Sequence, residues 1–519
     1  MLDLKITGGR LFDGTGREPV AADVGVLRDR IEAVGDLSLA EARESVDARG
    51  LCVCPGFIDV HSHSDSYILI EPSAASKIFQ GITTEIVGNC GASAAPRVGE
   101  YRMPSDWRDK KYPGPWSSVA EYRALVDSVN PAVNIRLLIG HNSLRAGVIG
   151  YDARVATAEE IEKMSALLAD SLDQGGAGFS SGLIYAPGLF ATREEVVALA
   201  RVAAGRGKLY TSHMRSEGAR LLEALDETLE IGRRSGARVE ISHLKTSGRK
   251  NWHLVDSALD KIRAAQREGL AIAADRYPYI AACTDLDVIL PDWASGGGTD
   301  ETLRRLRDPA TRSKIRDELT RHRDAQYWES VTIGSTHNPA NAAFQGKPLV
   351  QVAATLDMEP VDAALHLMDT DALHTAAIFF GMSEQNMWKI LAEPYVMIGS
   401  DASLRAPQGP LSHDHPHPRA YGTFPRVLRA ALDGKTVPLP EAIRKMTSLP
   451  AGQFGLADRG IIERGRKADI VVFDPSAVRD KATYEQPHQL AEGVRALVVN
   501  GVPTLRDGRE TGKRGGRFV

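Results

Sequence analysis

Cysteine is scarce in this chain, and so are long apolar runs and net charge. Only Cys52, Cys54, Cys90 and Cys283 occur in 519 residues, too few for a disulfide framework, which excludes the small stapled folds of secreted proteins. No apolar run approaches about 18 residues, so no transmembrane helix is expected. The 63 Lys and Arg nearly balance the 67 Asp and Glu, leaving a net charge of -4. That balance gives no electrostatic case for nucleic acid or an anionic membrane as partner. The opening MLDLKITGGRLFDG lacks the charged and apolar regions of an export signal. A reducing cytoplasm and a small-molecule partner are therefore expected. What remains is ordinary for a soluble enzyme, with 43% apolar and 25% charged residues.

One stretch organises the rest. FIDVHSHSD, residues 57–65, reads as a buried strand ending in two histidines one residue apart. Alternate side chains of a strand share a face, so His61 and His63 make half of a metal site; the plainer alternative is a polar strand end. Before it, and again at the far end, short Gly-rich strands predominate. Residues 1–56 and 455–519 are expected to pair into one small β-sandwich. Between them, 57–454 alternates strand-like and helical runs, the pattern of parallel βα units. Eight candidate strands cover 57–63, 83–90, 134–141, 176–183, 208–213, 238–243, 270–277 and 395–401. The fold class is α/β, a closed TIM-like (β/α)8 barrel; an open doubly wound sheet is the runner-up. Residues 284–346, with two charged amphipathic helices divided by Asp308-Pro309, are too long for one crossover and form a candidate lid.

Barrel enzymes keep their active sites at the carboxyl ends of the strands. There this sequence places His61 and His63, Cys90, His213, His243 and Asp401. A single histidine or cysteine at a strand end has a bland explanation as a cap or core residue; six at one end of one barrel point to a metal site. Histidine, cysteine and carboxylate ligands favour zinc, which activates a water for hydrolysis. Asp401 is placed to move the proton to a leaving nitrogen. Cys52 and Cys54 alternate in LCVCPGF and read as small buried hydrophobes. Lys245 in ISHLK, Tyr277 in DRYPY and Arg419 in HPRAYGTFPR add cationic and hydroxyl groups beside the metal, and a guanidinium suits a carboxylate on the substrate. Arg276 has no assigned role.

HSHSD, GNCG, GFSSGLIYAPG, SHMRSE, ISHLK, DRYPY, GSDAS and HPRAYGTFPRVL together resemble the N-acyl-D-amino-acid deacylases, or D-aminoacylases, of the amidohydrolase superfamily. The resemblance spans nearly the whole chain and implies an amidohydrolase barrel with a terminal β-sandwich and an inserted lid. It implies a tight zinc on Cys90, His213 and His243, and a second, weaker metal position on His61, His63 and Asp401. It implies Asp401 as catalytic acid and base, and Lys245, Tyr277 and Arg419 as the grip on the substrate α-carboxylate. The D-configuration rests on this resemblance alone. A cyclic-amide hydrolase of the hydantoinase kind would need a lysine on strand four, which GAGFSSGLIYAPG lacks. An inactive barrel subunit should have lost ligands. A dipeptidase cleaving before a D-residue stays open.

Overall fold

The computed structural model describes residues 1–101, 103 and 110–519. Eight parallel strands form its central sheet: β1 (Phe57–Asp59), β2 (Ile82–Val87), β3 (Asn134–Gly140), β4 (Gly178–Gly182), β5 (Leu209–His213), β6 (Val239–Ile241), β7 (Ile272–Arg276) and β8 (Val396–Ile398). They stand in chain order, each bonded to the next. The ring closes just past the strand ends, where Ser62 bridges Ala402 and the Asp401 N–H donates to the His61 carbonyl at 2.7 Å. All eight strands expected from the sequence are present, so the sheet is a barrel and not an open doubly wound sheet. Parallel strands covered on both faces must be almost continuously apolar. Ile58, Ile86, Leu138, Leu209 and Met397 accordingly fill the interior, while Phe179, Ile241 and Ile272 meet the helices outside. The helix Arg193–Ala204 shows the local logic: Thr192 accepts the Glu195 N–H at its start, and Gly205 follows its end.

Both chain ends contribute to one pair of sheets. A seven-stranded sheet runs in the order Arg509–Glu510, Val502–Arg506, Val494–Val499, Ile470–Phe473, Cys52–Pro55, Arg10–Leu11 and Val20–Ala21. A four-stranded sheet, Arg30–Gly35, Asp23–Leu27, Leu2–Thr7 and Ala42–Asp47, packs against it through Leu4, Ile6, Val24, Val53, Ile470 and Val498. Val53 points into this core, whereas Cys52 and Cys54 point toward the barrel cluster. Burial pushes the Cys52 thiol up to about 11 and the Cys54 thiol further, so both behave as the apolar residues the sequence suggested.

The chain between β7 and β8 builds a unit with its own core. Ala281–Asp285, Ala376–Phe380 and Val331–Ile333 form an antiparallel sheet in that order. Helices over Gly298–Arg307, Pro309–His322, Leu349–Leu356 and Pro360–Thr370 cover it, burying Leu286, Leu306, Ile315, Val352 and Leu365. Asp308 divides the two charged helices as N-cap of the second, accepting the Thr311 N–H at 2.9 Å. Among the described residues no helix is long and apolar enough to cross a membrane.

Candidate metal centre

Three of the residues at the barrel mouth sit in the left-handed backbone region: Cys90 at φ 55°, His243 at 38° and Asp401 at 50°. Non-glycine residues seldom adopt that conformation, and where they do, the surrounding structure enforces it. Each follows the last residue of its barrel strand by two or three positions. Leaving the ladder through this turn swings the side chain into the mouth. It also explains why β2, β6 and β8 end earlier than their sequence patterns suggest. β1 ends early as well, at Asp59, so His61 and His63 lie beyond it instead of alternating along it, yet both still face Asp401.

The supports of these turns are local. Cys90 lies in Gly88-Asn89-Cys90-Gly91, where a Cβ on Gly88 would fall 2.2 Å from the Leu138 carbonyl and one on Gly91 2.3 Å from Asn142 Oδ1. Asp65 braces the loop, accepting the Gly88 and Ala94 N–H groups at 3.1 Å each. Gly399 lets β8 pass β1, since a Cβ there would lie 2.6 Å from His61 Cβ.

The donor atoms converge. Cys90 Sγ lies 3.3 Å from His61 Nε2, 3.4 Å from His213 Nδ1 and 3.5 Å from His243 Nε2. His213 Nδ1 and His243 Nε2 are 3.0 Å apart. Asp401 Oδ1 lies 3.1 Å from His63 Nε2 and 3.4 Å from His61 Nε2, and its Oδ2 accepts Arg419 Nη1 at 2.6 Å. Burial alone would raise the Cys90 thiol, but the imidazoles of His61, His213 and His243 outweigh it and hold it well below the ordinary thiol value. Burial likewise opposes ionisation of Asp401, and Arg419, His61 and His243 reverse that, keeping it well below the usual carboxylate range. Facing ring nitrogens, a low-lying thiol and a carboxylate within 4.8 Å of one another are a nitrogen–sulfur–oxygen donor set that zinc fits.

The amidohydrolase family model matches residues 44–505. A D-aminoacylase of Alcaligenes xylosoxydans xylosoxydans is 38% identical over 100% of this chain and 97% of its own. This chain belongs to the D-aminoacylase group of the amidohydrolases. Among solved structures, N-acyl-D-glutamate deacylase from Bordetella bronchiseptica, complexed with zinc and a phosphonate mimic of the tetrahedral intermediate, is 34% identical with a TM-score of 0.86 over 100% of this chain and 99% of that one. A D-aminoacylase described as having a binuclear metal centre, activated by one metal and attenuated by the second, is 36% identical with a TM-score of 0.85 over 100% and 99%.

In this amidohydrolase a cavity of about 1110 Å³ opens over the donor atoms, walled by His63, Cys90, Lys245, Asp401 and Arg419 and by the inserted unit. Lys245 Nζ lies 2.8 Å from His243 Nδ1 and pairs with Glu217. Arg419 begins the helix Arg419–Leu432 and donates Nη2 to the Cys283 carbonyl at 3.2 Å. Tyr277 is fully buried behind the cavity wall, its ring stacked by Arg419 at 4.6 Å and by Arg276 at 4.2 Å. The stack gives Arg276 the place that sequence inspection left blank.

Other supporting residues lie within the quoted motifs without a role assigned from sequence. Asp275 accepts His61 Nδ1–H at 2.9 Å, orienting that ring. His417 donates Nε2–H to the Ala281 carbonyl at 3.0 Å while its Nδ1 accepts the Arg419 N–H at 3.0 Å. It therefore ties the root of the inserted unit to Arg419. Glu217, four residues past His213 in SHMRSE, was legible only as one charge among many.

Proposed function

We propose that this chain hydrolyses N-acyl-D-amino acids to a carboxylate and a free D-amino acid, with zinc as cofactor. One observation carries the proposal: Cys90, His213 and His243 converge opposite an Asp401–Arg419 pair at the floor of a large cavity. Cys90, His213 and His243 would hold the tight zinc, and His61, His63 and Asp401 a second, weaker one. When bound, zinc lowers the pKa of a water toward neutrality and polarises an acyl carbonyl. Asp401, which lines the cavity and is hydrogen-bonded by His63, takes the proton of the attacking water and delivers it to the leaving nitrogen. Arg419 and Lys245 line the same wall and receive the substrate α-carboxylate, and Tyr277 supports the Arg419 guanidinium from behind. The inserted unit closes the cavity as a lid. The four described cysteines are all unpaired, which supports a cytoplasmic setting.

The test is a hydrolysis screen of N-acetyl and N-formyl D- and L-amino acids and dipeptides, with and without added zinc. Release of free D-amino acid from the neutral and apolar D-series is expected. Equal rates on the L-series would remove the D-assignment, and cleavage confined to dipeptides would make the enzyme a dipeptidase. Arg419→Ala is expected to raise KM, lowering kcat/KM by about 10–100-fold, as loss of a charged hydrogen-bond partner does. Unchanged kinetics in that variant would remove Arg419 from the carboxylate site.

A further inference from the structure

Glu217 stands between two donors. Its Oε1 lies 2.8 Å from His243 Nδ1 and bonds Lys245 Nζ as well. Lys245 Nζ is itself 2.8 Å from His243 Nδ1. The three side chains are only 12%, 2% and 3% exposed for Glu217, His243 and Lys245, so little water is at hand to replace any of these contacts.

A neutral imidazole carries one proton, and only the bare ring nitrogen can accept a bond or bind a metal. Two arrangements compete at His243. With the proton on Nδ1, the ring donates to Glu217, and Nε2 keeps its lone pair toward Cys90 Sγ at 3.5 Å and His213 Nδ1 at 3.0 Å. With Lys245 donating to Nδ1, the proton sits on Nε2, and that nitrogen is lost as a ligand. An ammonium has donors and no acceptor, so Lys245 can favour only the second arrangement. A carboxylate has acceptors and no donor, so Glu217 can favour only the first.

We propose that Glu217 is a positioning residue that fixes His243 as the Nδ1–H tautomer and, by accepting from the Lys245 ammonium as well, keeps that ammonium from donating to Nδ1, so that Nε2 stays open to zinc. The proposal rests on the zinc assignment above. It gives the Lys245–Glu217 pair a task apart from substrate binding: a lysine needed beside a metal-binding histidine is prevented from disabling it. A carboxylate behind a ligating imidazole is a recurrent device, and its loss weakens metal binding by about 10–100-fold.

The experiment measures zinc affinity of the purified full-length protein by competition with a chromogenic chelator, independent of turnover. Glu217→Ala is expected to weaken zinc by about 10–100-fold. The shape-preserving Glu217→Gln, whose amide oxygen cannot satisfy both donors, is expected to weaken it less, and it carries the test should the alanine variant fold poorly. Adding Lys245→Met to either variant should regain most of the loss, because the competing donor is gone; a merely structural role for Glu217 would not be rescued that way. Wild-type affinity in both Glu217 variants overturns the proposal, as does a double variant no tighter than its parent. Cys90→Ala separates the two levels. If it binds zinc as tightly as wild type, or if wild type binds none, the zinc assignment falls and takes this proposal with it. If Cys90→Ala loses zinc while the Glu217 variants keep it, only the role of Glu217 falls.

Discussion

Asp401→Asn is expected to fold, to retain tight zinc and to lose turnover by about 10²–10⁴-fold, the range for removing a general acid–base group. Asparagine keeps the shape and is among the residues that best tolerate the left-handed region, which matters at a φ of 50°. Its amide oxygen can still accept from Arg419 or from His63, whichever it faces. What it cannot do is accept a proton. The tight donor set of Cys90, His213 and His243 does not include this side chain, so metal content should stay near one equivalent. The deficit should therefore fall on kcat, with KM little changed. A kcat close to wild type, measured on a D-substrate with zinc content checked, would sink the assignment of Asp401.

The second large effect is on stability. Lys77→Met should destabilise the protein by about 3–5 kcal/mol, the cost of breaking a buried ion pair from one side. Lys77 Nζ lies 3.0 Å from Asp59 Oδ2 and 2.9 Å from Glu85 Oε1, with all three side chains 0% exposed. Burial pushes the ammonium down, but the two carboxylates outweigh it and hold it above the ordinary lysine value. Removing it leaves two buried carboxylates without a countercharge. The cluster also sets the site: Lys77 donates to the Ala402 carbonyl and to Ser400 Oγ at 3.1 Å each, and Glu85 accepts Ser62 and Ser64 at 2.6 and 2.7 Å. His63 sits between those two serines and Asp401 between Ser400 and Ala402, so one cation fixes the HSHS turn against the SDAS turn. Urea unfolding measures the loss. Combining Lys77→Met with Glu85→Gln should restore part of it, since one uncompensated charge goes too. A single variant within 1 kcal/mol of wild type would show the cluster to be dispensable.

The barrel was readable because eight short strand-like runs alternate with helical stretches, and most of the runs are closed by a polar residue that a barrel gathers around one mouth. His61, His63, Cys90, His213, His243 and Asp401 could be found this way because every one lies at the end of its strand or within four residues beyond it. Glu217, Asp275 and Lys77 could not. They act through partners on or just past other strands, and an acidic or basic residue, even inside a motif such as SHMRSE or DRYPY, carries no periodic signal of its partner. Tyr277 shows the opposite failing: the sequence places it beside the site but cannot tell a ring on the wall from a ring behind it. In the inserted unit the helices could be seen from their charge pattern. Its strands could not, since Val331–Ile333 is three residues long and pairs with residues near 378.

The seven-stranded sheet has a consequence for how the chain is made. Cys52–Pro55 lies between Arg10–Leu11, nearby in sequence, and Ile470–Phe473, some 415 residues later. At translation rates of about 5–20 residues per second, the early strand waits roughly 20–80 s for its partner to leave the ribosome. Through that interval an apolar CVCP edge stands open, next to the FIDVHSH run that begins the barrel. The polypeptide must finish its metal-binding barrel before it can close the sheet on which that barrel's first strand is anchored. A nascent chain stalled short of residue 470 should thus be the form most prone to aggregate and most dependent on chaperones.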